Sequence, residues 1–200
     1  MKKVNAFKRV ILITGTPGVG KTSVSNLLAS RLDALHIDLS DLVKREKLTS
    51  GVDKARGTII ADLEKVSERL QTIMSDSEGD IIVDGLYAID VVPIQDIHMV
   101  FVLRRDPEEL KEAMEERGFS GRKLWENLAA EVLDACLWDV VRDCGSEKVC
   151  EIDVSGKRVG EVVEEIVLIL RGKRKCGVGI VDWLGKLERK GRLHDFLRDF

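Results

Sequence analysis

Proline, histidine and cysteine are scarce in this chain, at 3, 3 and 4 of its 200 residues. Cys136, Cys144, Cys150 and Cys176 form no C-x-x-C pair. They read as reduced thiols, mostly in packing positions, and a zinc site is not expected. His36, His98 and His194 are scattered and make no metal cluster. No apolar stretch approaches the ~20 residues that a membrane-spanning helix needs, so no membrane partner is expected. Residues Met1 to Arg9 are basic but run straight into an apolar segment without a cleavable signal pattern, which predicts a cytoplasmic protein. No Asn-Lys-x-Asp guanine motif occurs, which counts against a GTPase. Internal repeats and low-complexity tracts are also lacking.

What is present suits one α/β domain. Hydrophobic residues make up 44% and charged residues 34%, enough to bury a core and keep a polar surface. The net charge of −3 is unevenly spread. Residues 171–200 carry nine Lys or Arg against four acids, +5, on an otherwise acidic chain. A basic C-terminal appendage on an acidic body follows.

Five apolar runs predict strands, at 9–14, 34–38, 81–84, 98–103 and 149–153. Helical periodicity fills the intervals, at 21–32, 40–48, 58–75, 106–117, 122–143 and 158–171. Alternation of the two predicts a five-stranded parallel sheet with helices on both faces. Asp106-Pro107 is a helix start, with Asp as cap and Pro at the first helical position. Trp183-Leu184 and Phe196-Leu197 suggest short amphipathic helices that pack back on the body.

Between the first strand and the first helix stands Gly15-Thr16-Pro17-Gly18-Val19-Gly20-Lys21-Thr22, which fits G-x-x-x-x-G-K-[ST]. This is the phosphate-binding P-loop, and its strand–loop–helix setting is what its mechanism requires. Glycines let backbone N–H groups close around phosphate oxygens, and the helix N-terminus adds partial positive charge. Gly15, Pro17, Gly18, Val19, Gly20, Lys21, Thr22 and Ser23 are the expected ATP-binding residues. Lys21 would reach the β- and γ-phosphates, and Thr22 would ligate Mg²⁺.

Asp84 ends an otherwise apolar strand. It reads as the aspartate beside Mg²⁺ and the attacking group, or as a turn residue before Gly85. Asp38 also ends a strand and is either a substrate contact or a helix cap. Arg104 and Arg105 follow the fourth strand, at the carboxyl edge where ligands bind in such sheets. Arg117 opens Gly118-Phe119-Ser120-Gly121-Arg122-Lys123, either a basic flap over the transferring phosphate or a solvated turn between helices. Trp125 reads as packing.

These motifs resemble the atypical adenylate kinases shared by archaea and eukaryotes, from about Arg9 to about Leu170. The specific part is Arg117-Gly118-Phe119-Ser120…Lys123-Leu124…Glu126-Asn127…Glu131, similar to that family's lid and following helix. Asp41-Leu42-Val43-Lys44 resembles the start of its monophosphate-binding helix, Ile82-Val83-Asp84 and Val102-Leu103-Arg104-Arg105-Asp106-Pro107 stand where the family has them, and Val181-Asp182-Trp183-Leu184 resembles archaeal tails. The resemblance implies a P-loop NTPase of nucleoside-monophosphate kinase type. Its core would span 1–172, with a monophosphate-binding insert at about 40–63, a short lid at about 117–127 and a basic helical extension over 173–200.

The implied activity is broad-specificity transfer from Mg-ATP to AMP or another monophosphate, with ATP hydrolysis as a second activity. Lys21, Asp84 and Arg117 would be catalytic, with Arg117 also on ATP. Thr22 and Asp84 would hold the metal, and Asp41, Lys44, Arg45 and Arg104 the acceptor. The resemblance also implies a monomer that binds a small-subunit platform ribosomal protein and the pre-ribosomal particle, in ribosome biogenesis and rRNA processing. Two residues depart from it. Leu86 replaces a histidine thought to position water, and Lys44 replaces an arginine, losing the bidentate fork. Two further readings stand beside the kinase. One is an ATP-driven assembly factor using the basic segment. The other is a P-loop kinase for a small metabolite.

Overall fold

The computed structural model describes residues 8–53 and 58–197. The basic stretch before Lys8, residues 54–57 of the expected insert, and the charges at Arg198 and Asp199 lie outside the described residues. Chain order gives β1 (Val10–Thr14), α1 (Lys21–Leu32), β2 (Leu35–Asp38), α2 (Leu39–Glu46), β3 (Thr49–Asp53), β4 (Thr58–Ala61), α3 (Leu63–Asp76) and β5 (Ile81–Asp84). Then come α4 (Ala88–Val91), β6 (Ile97–Arg104), α5 (Pro107–Glu116), α6 (Gly121–Val132), α7 (Ala135–Cys144), β7 (Val149–Asp153), α8 (Val159–Leu170), α9 (Trp183–Arg189) and α10 (Leu193–Leu197).

Five parallel strands form one sheet, as expected, and their order is β2-β5-β1-β6-β7. Apolar side chains leave both faces because both faces are covered. Along β1, Ile11 and Ile13 enter a core with Leu28, Leu110, Leu128 and Ile166, while Val10 and Leu12 enter a second core with Leu42, Leu70 and Val140. β1 sits between β5 and β6, so all five of its residues are buried. The loop that follows β1 therefore rises from the middle of the sheet, beside the ends of β5 and β6.

Two expected helices differ. The segment 58–75 begins as β4, which pairs antiparallel with β3. Thr58, Ile59 and Ile60 are β-branched and suit a strand, and Asp62 starts the helix by accepting from the Lys65 amide. The expected helix 122–143 is two helices, α6 and α7. It breaks at Asp134, whose φ of +57° is left-handed and ends the α-helical run. The expected insert thus contains α2 and a small hairpin. The expected lid, about 117–127, covers a four-residue turn, 117–120, and the first two turns of α6.

The C-terminal extension folds onto the body. The Glu151 amide of β7 donates to Gly177 O at 2.9 Å, so residues near 177 cover that edge strand. Trp183 and Phe196 are buried, as expected for helices that pack back. Among the described residues no helix is long and apolar enough to cross a membrane.

Candidate active site

The loop after β1 is shaped by two glycines. Gly15 has φ +135°, and a Cβ there would stand 2.4 Å from Leu103 O. Gly18 has φ +95°, and a Cβ would meet Met114 Cγ at 2.8 Å. Side chains at either position would force the loop off β6 and α5. Gly20 precedes α1 in a left-handed conformation and makes no side-chain cap, so the first amides of α1 are left to a ligand. Lys21 Nζ donates to Gly15 O at 2.7 Å and Thr16 O at 3.1 Å. Its ammonium is thus held inside the loop's curve. Burial pushes the Lys21 pKa down, against Cys136, Asp84 and Glu131, which favour the charge.

One residue on, three oxygens converge. Thr22 Oγ1 lies 3.2 Å from Asp38 Oδ2 and 3.4 Å from Asp84 Oδ1. Parallel pairing of β2 with β5 sets Asp38 opposite Asp84, which is why two strand-end aspartates meet there. Asp38 also accepts from the Asp41 amide at 3.0 Å and caps α2, the structural one of the two roles considered for it. Hard oxygen donors of this kind fit Mg²⁺, which takes one or two protein carboxylates plus phosphate oxygens and water rather than an all-protein cage. Among the described residues no group of three or more His, Cys, Asp or Glu that could hold a metal ion occurs.

His36, which sequence reasoning set aside, belongs to this corner. Its Nε2 lies 2.6 Å from Asp84 Oδ2, and its Nδ1 3.0 Å from Asn26 Oδ1. Asn26 in turn donates to Thr22 O at 2.9 Å. The signal was periodic: His36 is two residues before Asp38 on one strand face, and Asn26 is one helical turn after Thr22. A cavity of about 550 Å³ opens beside these groups, lined by Thr22, Asn26, His36, Asp38, Asp41 and Arg45.

Of the expected acceptor residues, Asp41 and Arg45 pair with each other at 3.0 Å on α2, and Lys44 is exposed beside them. Arg104 does not stand free at the sheet edge. It is 1% exposed. Its Nε reaches Glu131 Oε1 at 2.9 Å, Nη1 reaches Glu151 Oε1 at 2.6 Å, and Nη2 bonds Glu131 O and Asp134. With its guanidinium committed to three carboxylates, Arg104 ties β6 to β7 and to the α6–α7 break. Burial alone would lower its pKa; Glu131 and Asp134 outweigh burial and hold it above its ordinary value. Arg105 lies nearer the loop, with Nη1 3.5 Å from Gly18 O.

Glu131 is the other residue brought into the site. It is buried, and its Oε2 accepts from the Thr16 hydroxyl at 2.6 Å. Its Oε1 accepts from Arg104, from the Arg105 amide at 3.0 Å, and from Trp183 Nε1 at 3.1 Å. The motif-like helix around Glu126 and Glu131 was visible in the sequence; its contact with the loop was not. Arg117 sits at the end of α5 with an exposed side chain that makes no hydrogen bond or ion pair among the described residues. Lys123 Nζ lies over the Phe119 ring at 5.4 Å, which joins the turn to α6.

Similarity to known proteins agrees with this geometry. The profile of a family described as AAA domain matches residues 11–134. An adenylate-kinase-like protein of Methanocaldococcus jannaschii is 38% identical over 177 residues, 88% of this chain and 93% of the relative. One from Methanosarcina mazei is 37% identical, covering 88% and 97%. One from Pyrococcus abyssi is 34% identical, covering 87% and 91%. Among solved structures, shikimate kinase from Acinetobacter baumannii aligns with a TM-score of 0.59 at 18% identity, over 84% of this chain and 97% of that one. Thymidylate kinase from Candida albicans gives 0.53 at 16% identity, over 82% and 92%. Those two likenesses show the fold, a P-loop kinase sheet. With relatives 34 to 38% identical along nearly nine-tenths of its length, this chain belongs to the adenylate-kinase-like family of archaea.

Proposed function

We propose that this protein is a nucleoside-monophosphate kinase that moves the γ-phosphoryl group of Mg-ATP to AMP, giving two ADP. The observation that carries this reading is the meeting of Lys21, Thr22, Asp38 and Asp84 at the mouth of the loop. Mg²⁺, held by Thr22 and Asp84, would neutralise phosphate charge. The loop amides and Lys21 hold the β- and γ-phosphates. Arg117, free at the end of α5, adds positive charge to the transferring group when the turn 117–120 closes over it. Asp41 and Arg45 on α2 line the cavity beside Thr22, where Arg45 can exchange Asp41 for the acceptor's phosphate, with exposed Lys44 next to them as a further charge. Arg104 acts behind the site, through Glu131 and Glu151, and not on the acceptor. No covalent intermediate is needed, since positioning and charge stabilisation carry phosphoryl transfer.

Leu86 is half-exposed two residues beyond Asp84 and offers no group to orient water. That supports transfer to an acceptor over hydrolysis. The second reading, a small-subunit assembly factor working through the basic extension, draws less support. Lys186, Lys190 and Arg192 pair with Asp106 and Glu108 of the body, and Arg174 with Glu165. A pull-down with a small-subunit platform protein tests that reading directly. For the kinase, Lys21→Ala is the test. Turnover with Mg-ATP and AMP should fall by about 10²–10³ or more, the scale for losing one preorganised charge contact. Wild-type rates in that variant would remove the loop from the mechanism.

A further inference from the structure

The sequence marks the C-terminal extension as a basic appendage with short helices that pack back on the body, and the proposed reaction does not use it. In the structure it reaches Glu131, the carboxylate that holds the loop's Thr16. Trp183, the first residue of α9, is 6% exposed and sends its indole N–H to Glu131 Oε1. The other oxygen of the same carboxylate holds the Thr16 hydroxyl, and Thr16 is fully buried in the loop. Thr16 O also accepts from Lys21 Nζ.

We infer that Trp183 is a positioning residue for the ATP-binding loop, acting through Glu131 on Thr16. This inference goes beyond the kinase reading and rests only on ATP binding at the loop. A carboxylate on a flexible side chain can turn about its last bond. Here Arg104 Nε, the Arg105 amide and Trp183 Nε1 all converge on Oε1, and together they fix the plane that aims Oε2 at Thr16. Two of those donors come from β6 and its end. The third comes from the extension, so the aim of Glu131 depends on the extension being docked. Docking is itself specified at several points. Asp182 caps α9 by accepting from the Gly185 amide at 2.7 Å, the Ile180 amide donates to Glu151 at 2.7 Å, and Lys186 reaches Asp106. The extension's positive charge thus complements the acidic start of α5, and its lone buried indole N–H lands on the hub beneath the loop.

Energetic coupling between two sites is reciprocal, so docking must favour ATP and ATP must favour docking by the same factor. The experiment is calorimetric ATP binding, without any acceptor, to wild type and Trp183→Phe. That substitution keeps an aromatic ring and removes the N–H. Loss of a hydrogen bond to a charged group predicts an ATP dissociation constant raised about tenfold. In a Thr16→Val background the same substitution should add nothing further, because its route to the loop is already cut. A lowered Tm with unchanged ATP affinity would make Trp183 a packing residue only and overturn the inference, as would full additivity with Thr16→Val. Where Trp183→Phe does not fold, hydrogen exchange on the unaltered protein decides. ATP should slow exchange of the Trp183 indole N–H and of residues 183–189, and an unchanged rate contradicts the coupling. Absence of AMP-dependent ADP formation would defeat the kinase reading and leave this binding result standing.

Discussion

His36 Nε2 stands 2.6 Å from Asp84 Oδ2, while the other oxygen of Asp84 faces Thr22. Asn26 Nδ2 is committed to Thr22 O, which leaves Asn26 Oδ1 to accept from His36 Nδ1. The ring anchors Asp84 to α1 and fixes which of its oxygens points at the metal corner. His36→Phe should lower activity or Mg²⁺ affinity about 10–100-fold, the range for partners that orient metal-binding carboxylates. Activity measured against Mg²⁺ concentration checks this.

Arg117 is expected to matter for rate and not for stability. Its side chain is exposed and makes no ion pair among the described residues. Arg117→Met should therefore leave unfolding free energy within ~0.5 kcal/mol of wild type. It should cut kcat by about 10²–10³, the scale for losing a charge contact to the transferring group in the role proposed for it. Denaturant unfolding beside steady-state kinetics separates the two effects.

Arg104 is expected to behave in the opposite way. Arg104→Met would strand Glu131 and Glu151, both buried, without their cation. Breaking a buried charge network of this kind costs about 3–5 kcal/mol. Urea unfolding should show that loss, accompanied by weaker ATP binding through Glu131.

Acid should release the extension. Burial works to raise the Asp106 carboxyl, but Lys186 and the Glu108 amide hold it below its ordinary 3.8. Lys186 is held above its ordinary 10.5 by the same contact. A depressed carboxyl stabilises docking fully above its unfolded value, and that contribution is lost as pH falls through the folded one. A raised ammonium stabilises below its unfolded value and fails as pH climbs through the folded one. The pair's contribution is therefore undiminished between pH 3.8 and 10.5 and drops outside that window. Trp183 emission, read in a Trp125→Phe/Trp138→Phe background, should report it.

The sheet was readable because each strand is a short apolar run buried on both faces, and the loop because its glycines and Lys21 keep a fixed spacing. The hairpin carries no such signal. Thr49-Ser50-Gly51-Val52-Asp53 is short, polar and half-exposed, and its pairing with β4 shows only in three dimensions. Apolar spacing runs through Leu128, Val132 and Leu137 without interruption. The break at Asp134 follows from its contact with Arg104, 30 residues away. Arg104 looked like a ligand group because it ends a strand at the binding edge; its three carboxylate partners come from distant segments. The same distance hid Glu131 and Trp183, whose contacts span 115 and 52 positions. Local pattern reports secondary structure and motif spacing. Buried polar networks are settled by tertiary packing.

ADP formation from Mg-ATP, followed with and without AMP, separates phosphoryl transfer to a monophosphate from hydrolysis. A monophosphate kinase makes ADP rapidly only when AMP is present, with two ADP formed for each AMP consumed. Slow ADP and phosphate release that ignores AMP would contradict the kinase reading and point to an ATPase.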